Sequence, residues 1–232
     1  ESRRNLFAQR FNVAVTPDNR AVVANSEILI LAVKPQQFVD VCRGFADLIR
    51  EEHLIVSIMA GVATRSIEML FAPHKVRVVR AMPNLPMHVG AGMAGVCKGA
   101  YAEPVDLLKA QRIFEAGGKA IAIHDEGQMD AITAVSGSGP AYFYYFVEAL
   151  TAAAERIGLS KQHADILAKQ TCLGAARMML ETGEPAGALR AKVTSPGGTT
   201  QAAIESMTRN LVYEHICEAV AAAARRSQEL GR

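Results

Sequence analysis

The chain has 232 residues, half of them hydrophobic and 21% charged, with a net charge of +2. That is enough for one large globular domain or two ordinary ones. The charge signs are mixed along the chain, which excludes the basic stripe of a nucleic-acid binder and the polybasic segment of a membrane-surface protein. 

Neither a starting Met nor a signal peptide is present, and "ESRRNLFAQR" reads as the middle of a surface helix. We therefore expect the sequence to begin inside a domain, with an N-terminal piece ahead of Glu1. Asn12 to Val15 reads as a strand, and Thr16 to Ser26 as a short helix with Pro17 in its first turn. Glu27 to Val33 is a continuous apolar run, as expected of a strand covered on both faces. A helix beginning at Pro35, a buried strand over Leu54 to Ala60 and a short helix over Thr64 to Leu70 follow. Strands are expected over Lys75 to Met82 and Gly92 to Lys98, a helix from Pro104 that ends in two glycines, and a last strand over Lys119 to His124. This alternation predicts a doubly wound parallel sheet.

Beyond His124 strand candidates cease and apolar residues recur at helical spacing. Helices are expected near residues 128–136, 138–157, 161–181, 185–191, 199–207 and 211–230. The boundary falls near residue 125, giving domains of 1–125 and 126–232. The most apolar stretch, residues 141–154, contains Glu148 and is too short to cross a bilayer; it reads as a buried helix. That helix is apolar almost all round and the last one is rich in alanine, so part of the helical surface is expected to pack against another copy. Cys42, Cys97, Cys172 and Cys217 are far apart and form no CxxC, which points to free thiols in a reducing cytoplasm; the six histidines are scattered, and no metal site is expected.

Candidate site residues gather at strand ends and at one loop. In open parallel sheets ligands bind outside the carboxyl ends of the strands. Lys34, in "LAVKP", stands at such an end, and reads equally as a solvated loop lysine. Ala60 and Gly61 end the next strand with small residues that admit a flat ligand, and Asn19 faces the same crevice or sits in a plain turn. The GxGxxG fingerprint of dinucleotide binding is absent; it belongs after a first strand, which we expect ahead of Glu1. "RAMPNLP" is a rigid loop at a strand end, either site wall or connector. "VSGSGPAY" superficially looks like a GxSxG nucleophile elbow, but it has Ser at position 136 and joins helix to helix, so a hydrolase is rejected. "SPGGTT", Ser195 to Thr200, interrupts a helical region. It is either a tight helix–helix turn or an anion cradle, where free N–H groups and the positive end of a helix dipole meet.

Taken in order, "LAVKP", "SIMAGV", "RAMPNLP", "VSGSGPAY" and "SPGGTT" closely resemble the pyrroline-5-carboxylate reductases. The likeness covers essentially the whole chain, including the change from α/β to all-α. It implies an α/β Rossmann-type domain that binds NADPH or NADH, followed by an all-α helical dimerisation domain. That second domain would interlock with a partner's to form a homodimer, and dimers would assemble into a decamer. The implied enzyme is a cytoplasmic oxidoreductase that reduces L-1-pyrroline-5-carboxylate to L-proline, the last step of proline biosynthesis. Asn19, Ala32, Val33, Lys34, Pro35, Ile58, Met59 and Ala60 match the family's cofactor contacts, and Lys192 aligns with a position reaching the cofactor from the partner subunit. Thr199 and Thr200 match substrate contacts, and Glu126 aligns with a substrate-side position. Gly197 and Gly198 would let the substrate carboxylate meet backbone N–H groups, and Thr200 would hold the imine nitrogen during hydride transfer. The segment that reads a 2′-phosphate is expected at or before the start of the chain, so NADPH and NADH remain alternatives. A β-hydroxyacid dehydrogenase would need a lysine on the Ser138 to Ile157 helix, which has none. A non-catalytic dinucleotide-binding dimer is the remaining alternative.

Overall fold

The computed structural model describes residues 2–231; residues 1 and 232, the outer ends of the two domain spans, lie outside the described residues. The chain divides into two compact units, one running to Gly137 and taking back the C-terminal turn from Ala224, the other comprising Ser138–Ala223.

The first unit is built on a five-stranded sheet of order β1 (Ile28–Leu31), β2 (Leu54–Ser57), β3 (Arg77–Met82), β4 (Gly92–Lys98), β5 (Gly118–Ala122). On one face, α2 (Asn19–Ala24), α3 (Phe38–Arg43) and α4 (Thr64–Leu70) cover a core that includes Leu29, Leu31, Ile55 and Val78. On the other, α5 (Pro104–Glu115) packs Ala110 and Phe114 against Leu54, Val56, Val79 and Val96. Residues whose side chains alternate between these two cores therefore read as apolar runs, Leu54–Val56 in β2 and Val78–Val79 in β3, where Arg80 breaks the run. The unit also holds the exposed α1 (Ser2–Phe11) and the short α6 (Met129–Ile132).

Four expectations need correction. The sheet is mixed: β1, β2 and β3 are parallel, but β4 runs antiparallel to β3, and β5 is parallel to β4. Residues 83–91 are too few for a crossover, which takes a dozen or more, so the chain reverses instead. Asn12 to Val15 forms no strand; these residues are exposed, and no described strand lies beside them to complete a ladder. Among the described residues β1 stands at the edge of the sheet with one face covered, leaving Ile28 and Ile30 exposed at 38% and 49%. The helix expected from Pro35 is broken into a 3₁₀ turn over Pro35–Gln37, α3, and a second 3₁₀ turn over Ala46–Leu48, with Gly44 ending α3.

The second unit is all helical: α7 (Gly139–Arg156), α8 (Lys161–Thr182), α9 (Ala186–Lys192), α10 (Thr199–Arg209) and most of α11 (Val212–Leu230). The ends follow local chemistry. Ser160 accepts from the His163 N–H to start α8, and Gly183, at φ 67°, closes it. Between Ser138 and Ala223 only Gly139, Ala164 and Ala168 are buried among the described residues. Phe143, Tyr145, Ile157 and Leu180 are 62–82% exposed, an apolar surface far larger than a lone unit can leave in water. Among the described residues, no helix is long and apolar enough to cross a membrane.

The four cysteines are free, and Cys42 and Cys97 are buried. Burial pushes the Cys42 thiol from 9.0 up to about 11. Burial first, then the nearby Glu126 carboxylate, pushes Cys97 to about 12. Both should resist Ellman's reagent at pH 8 in the native protein and react on unfolding. The unfolded thiols give up their protons first, so native stability should be level below pH 9 and fall as pH rises from 9 towards 11. A thermal-melt series across that range checks the sign.

Candidate active site

Parallel pairing of β1 with β2 sets Leu31 opposite Ser57, so the two strands end together. The Ile58 N–H donates to the Leu31 carbonyl at 3.1 Å, which draws the loop after β2 against the loop after β1. Ala32–Pro35 and Ile58–Ala60 thereby form one rim at the carboxyl ends of neighbouring strands. Ala32 and Lys34 are exposed, and Val33, Pro35, Ile58 and Ala60 are half-buried. Met59 differs: its side chain is 2% exposed and belongs to the core, so only its backbone reaches the rim. Lys34 makes no side-chain hydrogen bond or ion pair among the described residues; its carbonyl accepts from the Gln37 N–H at 2.9 Å and closes the 3₁₀ turn. Gly61 follows with φ 77°, the left-handed region that suits glycine. Asn19 heads α2 and is exposed; the adjacent Asp18 caps that helix, and Arg20 ties it to Asp47 rather than to the rim.

Glu126 lies in the same unit, in a polar cluster that sequence reasoning did not assemble. The Thr64 N–H donates to its Oε1 at 2.8 Å and the Thr64 hydroxyl to its Oε2 at 2.6 Å. Arg80, 5% exposed on β3, donates to Oε1 at 3.2 Å and stands 4.0 Å from Asp130. Asp130 in turn accepts from the Ser227 hydroxyl at 2.6 Å, at the end of α11. Both Glu126 oxygens are thus occupied within this unit. A signal for the cluster was present: Arg80 interrupts an apolar strand, and a buried cation requires a counter-charge.

In the second unit, Gly198 is the N-cap residue of α10 and supplies no side chain to cap it. The Gly197 N–H donates to Gln201 Oε1 at 2.7 Å, and the Gly198 N–H to the Ser195 carbonyl at 3.0 Å. Neither glycine amide is therefore spare. Thr199 and Thr200 open the helix, where N–H groups have no carbonyl four residues back and the dipole is positive. The glycines serve shape. Gly197 sits at φ 69°, and a Cβ on Gly198 would collide with Ser195 Oγ. Lys192 ends α9 with its ammonium 2.5 Å from Glu184 Oε2. Ser136 and Ser138 have no hydrolase setting: the Ser136 hydroxyl donates to the Ile132 carbonyl in a π-helical turn over Thr133–Gly137.

Residues 126–230 match the family described as pyrroline-5-carboxylate reductase dimerisation, and residues 1–61 match NADP oxidoreductase, coenzyme F420-dependent. The chain is 41% identical over 228 residues to a pyrroline-5-carboxylate reductase of Pseudomonas aeruginosa, covering 98% of this chain and 83% of that one. A solved pyrroline-5-carboxylate reductase from Coxiella burnetii superposes with a TM-score of 0.93 at 40% identity, covering 100% of this chain and 86% of that chain. A pyrroline carboxylate reductase from Plasmodium falciparum, solved with NADP bound, gives a TM-score of 0.86 at 30% identity over 94% of this chain and 82% of that one.

Proposed function

The chain belongs to the pyrroline-5-carboxylate reductase family, and we propose that it reduces L-1-pyrroline-5-carboxylate to L-proline, the last step of proline biosynthesis, with NADPH or NADH as reductant. The observation that carries this is the 41% identity over 228 residues, which takes in both the strand-end rim and the glycine–threonine loop. The four free thiols fit a reducing cytoplasm, where we place the enzyme.

The rim suits a dinucleotide. Its small residues, Ala32 and Ala60, let a flat ligand approach backbone, and the unpaired Lys34 ammonium can meet a phosphate or ribose. When bound, the reduced nicotinamide supplies the hydride that adds to the imine carbon. The protein's task is to hold the acceptor. The Thr199 and Thr200 N–H groups at the start of α10 receive the substrate carboxylate. The Thr200 hydroxyl holds the ring nitrogen, which takes a proton as C=N becomes CH–NH. An imine of this kind can be protonated from solution near neutral pH, so no strong side-chain acid is needed. Orientation and fixed dipoles do most of the work.

The exposed aromatic face of α7 supports a homodimer in which the second units of two protomers interlock, with dimers assembling further into a decamer. Light scattering at micromolar concentration should show a dimer or a multiple of it, and a monodisperse monomer would contradict this.

Thr200→Val keeps the side-chain shape and removes the hydroxyl. Single-turnover rates should fall roughly ten- to a thousand-fold, the cost of a lost transition-state hydrogen bond, while the melting temperature stays close to wild type. A normal rate beside a lowered melting point would reduce Thr200 to a helix-start residue. Lys34→Ala should raise the Michaelis constant for the cofactor roughly ten- to a hundredfold, as expected for a lost charge-assisted bond, and leave that for substrate nearly unchanged.

A further inference from the structure

The Arg80 cluster reaches the β2–α4 loop from two sides. The N-cap residue of α4 is Ala63, which has no capping side chain. A helix start needs an acceptor for its free N–H groups, and a negative charge is favoured there. Glu126 provides both from 62 residues away, through its bonds to the Thr64 N–H and hydroxyl. Arg80 neutralises it from beneath, at 6% side-chain exposure. The second side is the end of α11. A Cβ at Gly61 would lie 2.9 Å from the Gly231 nitrogen and 3.0 Å from the Leu230 carbonyl carbon, so the C-terminal turn rests directly on the loop. Ser227 holds that turn in place by its bond to Asp130, which sits beside the same guanidinium.

We propose that Arg80, Glu126, Thr64, Asp130 and Ser227 act as one latch that positions the loop of residues 58–63 for the dinucleotide. They are positioning residues, since the loop backbone and not these side chains meets the cofactor. The inference rests on the reading that Ile58–Ala60 contact the dinucleotide. It also moves Glu126 from the substrate to the cofactor side of the site. Loops on the sheet rim are free to move unless tied down, and binding to a loop that samples several conformations is weakened by the fraction that is competent. A carboxylate at the far end of the loop and a helix end lying across its glycine remove that freedom.

The test compares Thr64→Val, Thr64→Ser and Ser227→Ala in the intact enzyme, with NADPH as the probe. Thr64→Val and Ser227→Ala should each weaken NADPH binding roughly five- to tenfold by fluorescence titration, less than the loss of a direct charge-assisted bond because the loop is loosened and no ligand contact is removed. The Michaelis constant for pyrroline-5-carboxylate should barely change, and Thr64→Ser should restore wild-type binding. Amide exchange of residues 58–63, measured without cofactor, should quicken in the two weakened variants. NADPH binding at wild-type strength in either of them overturns the proposal, as does a rise in the substrate constant that matches the cofactor's. Faster loop exchange in Thr64→Val, beside a wild-type protein that binds neither NADPH nor NADH, would instead overturn the cofactor reading and leave the latch standing.

Discussion

A guanidinium in the middle of a buried strand is the constraint around which the first unit is arranged. Removing such a charge from water costs several kcal/mol unless carboxylates surround it, and β3 carries Arg80 between Val79 and Ala81, both fully enclosed. The two carboxylates that answer it are set one helical turn apart, at positions 126 and 130, so a single short segment delivers both. That fixes the segment after β5 against the sheet. Through Thr64 it decides where α4 begins, and through Ser227 it holds the last turns of α11, which belong to the same unit. Elements far apart in sequence are thus placed by the demand of one side chain.

The two candidate stretches, one in each unit, are made largely of backbone. At the rim, strand direction does the work: parallel β1 and β2 bring together two loops that carry the small residues Ala32, Ala60 and Gly61. In the helical unit, a glycine pair turns the chain so that a new helix starts with its N–H groups unspent. Such arrangements leave little trace in side-chain chemistry.

That explains what could be read in advance. The helices of the second unit were legible to within a residue or two, because Ser160, Gly183 and the Pro196–Gly197–Gly198 break are local signals. Buried strands were legible as apolar runs. Strand direction was not: periodicity is the same whichever way β4 runs, and only the shortness of residues 83–91 reveals the reversal. Asn12 to Val15 has the composition of a strand, but a strand exists only beside a neighbour. At the rim, Met59 carries the pattern of its neighbours while its side chain belongs to the core. The individual contacts came from family likeness rather than from spacing. Arg80's partners escaped because they lie 46 and 50 positions away, and Ser227 lies 97 beyond Asp130.

The bare faces of α7 and α8 carry a consequence for inheritance. Polypeptides whose apolar surface is covered only by their own kind do not act as independent individuals. In a cell making an intact and a damaged version of this chain, the two draw on one pool of subunits, and mixed assemblies form. A lesion in the helical half then subtracts more than its share of activity, since each faulty copy also engages a sound one. A lesion that prevents the helices from forming at all excludes its bearer from the pool, and is the milder of the two.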